Sequence, residues 1–402
     1  MNVNEMIQKE ALDVEEYIIA ARRKVHAYAE TAGNEVKTSA FIRGELEAAG
    51  IPYELVAETA VIGTMDTGKP GPYVLLRADI DALPMKENPN NLAGPRQCVS
   101  ADPNTCHACG HDSHTAMLLG AVKVLSKIKD QLCGTVYFCF EEGEECGKSV
   151  DRILEALKKK KVDTVWGIHV NPDIESGHIN VAPGPRMAGG VKINIVVKGK
   201  GGHGSRPDLA ANPVFAAAAI VSNLPGAFVN QLHPEKPVTF GITTIKGGGA
   251  SNIFSNDAVI EGSIRFFDRE AGEQAIGIIK SVATHVAAIH KCSVELDPLM
   301  DKCLPPLIND PKYTEIAIKK LTEVLPEGAL VPMDLLYGSE SFSGYLLQYP
   351  GVFAHLGIKN DKLGAGANLH NEYFDLDEST MKYGVMSASG YAFACMENWT
   401  DK

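Results

Sequence analysis

Three short runs, residues 73–76 (YVLL), 136–140 (VYFCF) and 165–170 (VWGIHV), are apolar at nearly every position instead of alternating with polar residues. A strand of that kind is buried on both faces, as in a largely parallel sheet covered by helices. Helical periodicity fills the spaces around them. Residues 3–28 carry Met6, Ile7, Leu12, Val14, Ile18 and Ile19 on one side, and residues 116–128 form a second helical stretch. This alternation specifies an α/β domain, a central sheet between helices.

At residue 191 the rhythm changes. KINIVVKG reads as a strand, NPVFAAAAIVSNL as a helix, VTFGITTI and AVIEGSIRFF as two strands, EQAIGIIKSVATHVAAIH as a helix and CSVELD as a strand. The order β-α-β-β-α-β is the ferredoxin-like pattern, and about 110 residues are enough for a small α+β domain. After Pro305 and Pro306 helical periodicity returns at 311–325, an apolar patch follows at 349–356, and a last helix covers 377–396. The tail completes the first domain. The expected organisation is therefore a catalytic domain from 1–187 and 303–402, interrupted by an inserted domain at 188–302.

Charge and cysteine usage narrow the function classes. Lys and Arg number 38 against 50 Asp and Glu, a formal charge of −12, which disfavours nucleic acid and anionic lipid as partners. A strictly apolar run such as 215–221 falls far short of the ~20 residues that span a bilayer, and the first residues, MNVNEMIQKE, lack a leader pattern. Nine cysteines, an odd number without a disulfide-like spacing, read as reduced thiols. A cytoplasmic enzyme with no membrane partner is expected. The basic run 158–161 reads as a solvated helix end.

Polar, ligand-type residues follow directly on the apolar runs. Arg77, Asp79 and Asp81 leave the first; Glu141, Glu142, Glu144 and Glu145 leave the second; His169 lies in the third. The segment CHACGHDSH, residues 106–114, precedes a helix expected to begin near Thr115. Sites in α/β sheets form outside the carboxyl ends of the strands, so these groups can converge. Clustered carboxylates repel one another, and a divalent cation neutralises them. Mixed Cys, His and Glu donors suit Zn²⁺ and also Mn²⁺, Co²⁺ or Ni²⁺. A spare carboxylate beside such an ion can act as general base toward water.

In order along the chain, RADIDALP, HACGHDSH, FCFEEGEE, GIHV, GKGGHGSRP, GSIRFFD, GSESFSGY and LHNEYFDLDE resemble the M20 metallopeptidases. The similarity is to their amidohydrolase subfamily, the N-acyl-amino-acid, hippurate and indole-acetyl-amino-acid hydrolases, and covers roughly 73–396. It implies that Cys109, His111, Glu145, His169 and His370 hold two divalent metal ions. Glu144 would be the general acid/base for a metal-bound hydroxide, and Asp79 would orient a ligand from behind. His203 would polarise the scissile carbonyl, and Asn252 and Arg265 would touch substrate or brace the lid. The family's F-x-F-Q-P-A-E-E selects Glu144 and Glu145 over Glu141 and Glu142, and here its Q-P-A is replaced by Glu141-Glu142-Gly143. A homodimer through the inserted domain is also implied.

The expected activity is hydrolysis of N-acyl amino acids or similar small amides. Dipeptidase or carboxypeptidase action by the same site is the alternative. A catalytically dead binding protein is a third reading, and thiol catalysis by Cys109 with His111 or His114 a fourth. The glycines around His203 form no phosphate-binding G-x-x-x-x-G-K-[ST] motif and fit a lid loop better.

Overall fold

A computed structural model describes residues 1–147 and 149–399. The chain runs through α1 (Val3–Asp13), α2 (Glu15–Tyr28), α3 (Val36–Ala48), β1 (Tyr53–Leu55), β2 (Val61–Asp66), β3 (Tyr73–Asp79), α4 (His111–Lys127), β4 (Thr135–Glu141), α5 (Val150–Leu157), β5 (Thr164–Glu175) and β6 (Ile179–Asn180). Next come β7 (Gly189–Lys198), α6 (Pro213–Gln231), β8 (Val238–Gly247), β9 (Asp257–Phe266), α7 (Arg269–Ile289) and β10 (Ser293–Leu296). The chain ends with α8 (Pro311–Val324), β11 (Gly351–Lys359) and α9 (Met381–Glu397). These elements form two compact units. One comprises Met1–Gly184, Asn309–Asp334 and the chain from Gly344 onward; the other comprises Pro185–Ile308 and Leu335–Ser343.

The first unit has a seven-stranded mixed sheet in the order β1-β2-β4-β3-β5-β11-β6. Its centre is parallel: β3 pairs with β4 and β5, and β11 with β5. Every residue of β4 is buried, as are all of β3 after Tyr73 and the first nine of β5, which is what their unbroken apolar runs require. Trp166, Phe138, Phe140 and Phe353 are among the largest fully buried side chains. Parallel pairing brings Asp79 level with Glu141, so the polar ends of β3 and β4 leave the sheet side by side.

Two local boundaries differ from the sequence expectation. The periodic stretch 3–28 divides at Val14, whose amide bonds back to Glu10, and α2 restarts with Glu15 and Glu16 in its first turn, where carboxylates complement the helix dipole. Helix α4 begins at His111, four residues earlier than expected, because Gly110 (φ 84°) turns the chain directly into it. A Cβ at Gly110 would lie 2.4 Å from Val170 Cγ2, so both the turn and the close approach require glycine.

In the second unit an antiparallel sheet, β8-β9-β7-β10, packs with α6 and α7 around a core that includes Ile193, Ile195, Ile220, Ile260 and Ile279. Residues 335–343, expected with the C-terminal part of the catalytic domain, pack in this unit. Leu336 exchanges backbone hydrogen bonds with Arg186 and Ala188, and Arg265 Nη1 donates to Ser339 Oγ at 2.9 Å. Helix α6 corrects the estimate from strictly apolar runs: at 19 residues and mean hydropathy 1.3 it is long and apolar enough to cross a membrane by length and composition. One face of it, with Ala216, Ala217, Ile220, Leu224 and Phe228, is buried in the unit's own core.

Candidate metal centre

Ligand-type side chains converge in the first unit from the carboxyl ends of β3 and β4, the middle of β5, the start of α4 and the loop that bears His370. One donor atom each from Cys109, His111 and His169 lie within 4.8 Å of one another, and so do those of Cys109, Glu145 and His370. A third set joins His111, Glu144 and Glu145 within the same limit. The first two sets share the Cys109 sulfur, an arrangement suited to a pair of neighbouring cations. All five expected ligands and Glu144 are thus brought together from four separate stretches of chain.

Hydrogen bonds at the back of each ring decide which nitrogen faces the centre. His111 Nδ1 lies 3.0 Å from Asp81 Oδ1, a carboxylate acceptor, so it carries the proton; its Nε2 is buried and makes no hydrogen bond. His169 Nδ1 donates to the Val170 carbonyl at 2.7 Å, which turns Nε2 toward Cys109 Sγ, 3.4 Å away. Such bonds fix tautomer and ring orientation in metal-ligating histidines. A buried, unpartnered imidazole nitrogen beside a thiol and carboxylates is a donor set that fits a divalent cation. His370 is held by its backbone in the left-handed region (φ 59°), its amide donating to the Ala108 carbonyl at 2.8 Å and its Nε2 lying 3.1 Å from Glu145 Oε1.

Burial and neighbouring charges shift the titration of three of these groups. Burial acts to lower the His111 pKa, but Asp79, Cys109 and the bond to Asp81 outweigh it, and the result lies well above the ordinary value. Burial drives the Cys109 thiol the other way, raising its pKa, and the nearby Glu145 and Glu144 add to the rise. A protonated thiol is a poor nucleophile, which counts against the thiol-catalysis reading. Glu145 stays below the usual carboxylate value: burial opposes this, while His370 and His111 favour the anion.

Asp79 is placed differently from the expectation. Its Oδ1 accepts from His114 Nδ1 at 2.6 Å and its Oδ2 from Arg77 Nη1 at 2.7 Å, while His111 Nε2 is 3.8 Å away. It is Asp81 that hydrogen-bonds the expected ligands: its Oδ1 meets His111 and its Oδ2 accepts the Glu145 amide at 3.0 Å. The A-D-I-D spacing put both carboxylates at the strand exit, and the strand's period of two did not separate them. His114 serves as a clip. Its Nε2 accepts the Val170 amide at 2.9 Å, and burial with the neighbouring His169 pushes its pKa down to about 4 despite Asp79, so it stays neutral. With both nitrogens engaged it is the weakest candidate ligand of the cluster.

In the second unit, His203 lies in a short strand (Gly202–His203) paired with Ile253–Phe254; it is exposed, with Nδ1 2.8 Å from Ser205 Oγ. The Asn252 carbonyl accepts the Gly204 amide at 2.7 Å, so His203 and Asn252 lie on neighbouring segments of this small ladder. Arg265 reaches Ser339 as described above. A cavity of about 1040 Å³ in the first unit lies at the opposite, amino-terminal edge of the strands, lined by Tyr73, Asp163 and Tyr313 and bordered by Lys158, Lys160 and Lys161 of the basic run. It contains none of the converging ligands.

Behind α4, His26 stands between two buried carboxylates, with Nδ1 2.8 Å from Asp112 and Nε2 2.7 Å from Glu87, so both nitrogens donate and the ring is an imidazolium. Burial and Arg22 oppose its charge, yet Asp112 and Glu87 hold its pKa above the ordinary value. A raised folded-state pKa gives stability that is complete below the unfolded value near ~6.5 and lost as pH rises through the folded one. Wild type is therefore expected to exceed His26→Gln in denaturation midpoint by more at pH 6 than at pH 9. A gap that widens with pH would contradict the imidazolium assignment.

The comparisons with known proteins agree with this centre. Residues 75–392 match the family model for peptidase family M20/M25/M40. Thermostable carboxypeptidase 1 of Saccharolobus solfataricus is 33% identical over 96% of this chain and 97% of its own. IAA-amino acid hydrolase ILR1-like 4 of Arabidopsis thaliana is 33% identical over 93% of this chain and 84% of its own. N-acetylcysteine deacetylase of Bacillus subtilis is 31% identical over 90% and 93%. Among solved structures, a Bacillus subtilis protein described as a dinuclear metal binding peptidase from the M20 family superposes with TM-score 0.82 at 29% identity, covering 96% of this chain and 99% of that one. With the family model spanning most of its length and these relatives matching nearly end to end, the chain belongs to peptidase family M20/M25/M40 and is a metal-dependent hydrolase.

Proposed function

We propose that this protein hydrolyses the amide bond of N-acyl amino acids or similar small amides, with two divalent metal ions held by Cys109, His111, Glu145, His169 and His370. The observation that carries the reading is the pair of three-residue donor sets sharing Cys109, with Glu144 beside them. Bound there, the ions would supply Lewis acidity toward the carbonyl and toward water. Glu144 takes the proton from the attacking water and returns it to the departing nitrogen. Asp81 keeps His111 and the Glu145 backbone in place, and the His114 clip fixes the strand segment that bears His169. His203 donates to the developing oxyanion, and Asn252 and Arg265 hold substrate or brace their own unit.

Substrate class is tested by a panel. The reading expects N-acetyl, N-benzoyl and indole-acetyl amino acids to be cleaved faster than dipeptides. The second reading, peptide cleavage, is supported by the carboxypeptidase relative, and faster turnover of dipeptides would establish it. Chelator treatment is expected to abolish turnover, and Zn²⁺, Mn²⁺, Co²⁺ or Ni²⁺ to restore it. Because ligands must lose protons to bind metal, and His111 holds its proton above the ordinary pKa, apparent metal affinity should rise with pH. Turnover that survives complete metal removal would refute the metal requirement. Measurable chelator-sensitive turnover would also exclude the binding-protein reading.

A homodimer through the second unit and a cytoplasmic location belong to the same proposal. Phe215 and Val229 on α6 are 66% and 83% exposed, an apolar face suited to a second copy, and all nine cysteines are free, as a reducing compartment would keep them. Light scattering of the purified protein gives the mass that decides the first point.

A further inference from the structure

We propose that Glu35 and Glu142 are positioning residues for the segment bearing Glu144 and Glu145, Glu35 as a neutral acid and Glu142 as a carboxylate, joined through the Thr59 hydroxyl. The proposal rests on the reading of Glu144 and Glu145 given above.

After β4 the chain passes through Glu142 and then Gly143, in the left-handed region (φ 61°), into the turn Glu144–Cys146. The Glu142 side chain is buried. Its Oε2 accepts the Thr59 amide, the Ala60 amide at 2.9 Å and the Thr59 hydroxyl at 2.7 Å, while Oε1 accepts from Arg152 Nη2 at 3.0 Å. The Glu142 carbonyl accepts from the Ser149 hydroxyl, beyond the turn. Glu35 is equally buried, and its Oε1 accepts the Gly33 amide at 3.0 Å and the Gly143 amide at 2.8 Å. The flexible glycine that aims Glu144 is therefore gripped on both sides.

Proton counting assigns the charges. The Thr59 hydroxyl carries one hydrogen, yet it lies 2.9 Å from Glu35 Oε2 and 2.7 Å from Glu142 Oε2. One hydrogen cannot be donated to both, and two buried anions against one oxygen repel. Glu142 has a guanidinium and two amides to hold its charge. Glu35 instead has Glu142 across Thr59 and the acidic Asp81 acting on it. The second proton therefore sits on Glu35 Oε2, which donates to Thr59 Oγ1, and Thr59 in turn donates to Glu142. Burial independently raises the Glu35 pKa.

An amide can stand in for a neutral acid but not for this carboxylate. In Glu35→Gln, the side-chain oxygen still accepts from Gly33 and Gly143 and the NH₂ donates to Thr59. In Glu142→Gln, an NH₂ must face either Arg152 or the Thr59 and Ala60 amides. With the metal-loaded full chain, Glu35→Gln is expected to retain kcat within about twofold. Glu35→Ala and Glu142→Gln are expected to lose about 10–10²-fold in kcat, with KM and metal content nearly unchanged, as for a misaimed catalytic group. Infrared spectra at neutral pH, wild type minus Glu35→Gln, should show the loss of a protonated-carboxyl C=O stretch even if the Glu142 variants fail to fold. Absence of that band, or a Glu35→Gln as impaired as Glu35→Ala, overturns the proposal. Glu144→Ala, assayed alongside, separates the two failures: if it keeps turnover the site reading itself falls, and if it loses turnover while Glu35→Gln behaves like Glu35→Ala, only the positioning proposal falls.

Discussion

Glu144→Ala is expected to bind metal almost as wild type does and to lose about 10²–10⁴-fold in kcat, the usual cost of removing a general acid/base. Glu144 lies next to Glu145 and its donor atom reaches within 4.8 Å of those of His111 and Glu145, but the remaining ligands, Cys109, His169 and His370, close their sets without it. Metal content and turnover should therefore separate in this variant. Glu145→Ala should lose both, because it removes a donor from the set with Cys109 and His370 and leaves the exposed His370 without its partner. Metal analysis with single-turnover rates distinguishes the two carboxylates, and wild-type turnover in Glu144→Ala would remove Glu144 from the mechanism.

The second large effect concerns stability. Arg77 is fully buried and donates from Nη1 to Asp79 and from Nε to Glu141, each at 2.7 Å, with the Tyr345 hydroxyl also on Glu141 at 2.9 Å. Arg77→Met strips the cation from two buried carboxylates, a change that costs about 3–5 kcal/mol when one side of a buried ion pair is removed. At roughly 2–4 °C per kcal/mol for a domain of this size, melting should fall by on the order of 10 °C. Burial opposes the Asp79 anion, and the charges of His111 and Arg77, with the hydrogen bond from the neutral His114, hold its pKa well below the ordinary value. That stabilisation exists above the unfolded pKa and disappears as pH falls through the folded one. Without Arg77 the stranded carboxylates take up protons more readily, so the deficit should shrink on going from pH 8 to pH 5. A deficit that is small at pH 8, or larger at pH 5, would show that the buried charges are compensated elsewhere.

Much of this architecture is legible in the chain because burial leaves a direct imprint on composition. The strands around Leu76, Phe138 and Trp166 are apolar on both faces, and residues past their carboxyl ends had to meet at one edge of the sheet. Cys109, His111, Glu145 and His169 follow from that logic with the family motif, and His370 from the motif alone, since its left-handed backbone and bond to the Ala108 carbonyl leave no periodic mark. The exchange of roles between Asp79 and Asp81 was not legible. Both leave the same strand, and only the placement of Arg77, His114 and the Glu145 amide distinguishes them. The grip of Glu35 and Glu142 on Gly143 was hidden for a related reason. It joins a helix start, a turn before β2 and a loop after β4, contacts between segments far apart in sequence. The placement of 335–343 with the second unit likewise depends on backbone bonds to Arg186 and Ala188, which carry no side-chain signature.

The account stands on two cations sharing the cluster around Cys109. Crystals of protein loaded with Zn²⁺, with diffraction collected on both sides of the metal's absorption edge, test it most directly. The expected result is two anomalous peaks within the cluster formed by Cys109, His111, Glu145, His169 and His370. A loaded, active crystal whose metal lies away from these side chains would contradict the account.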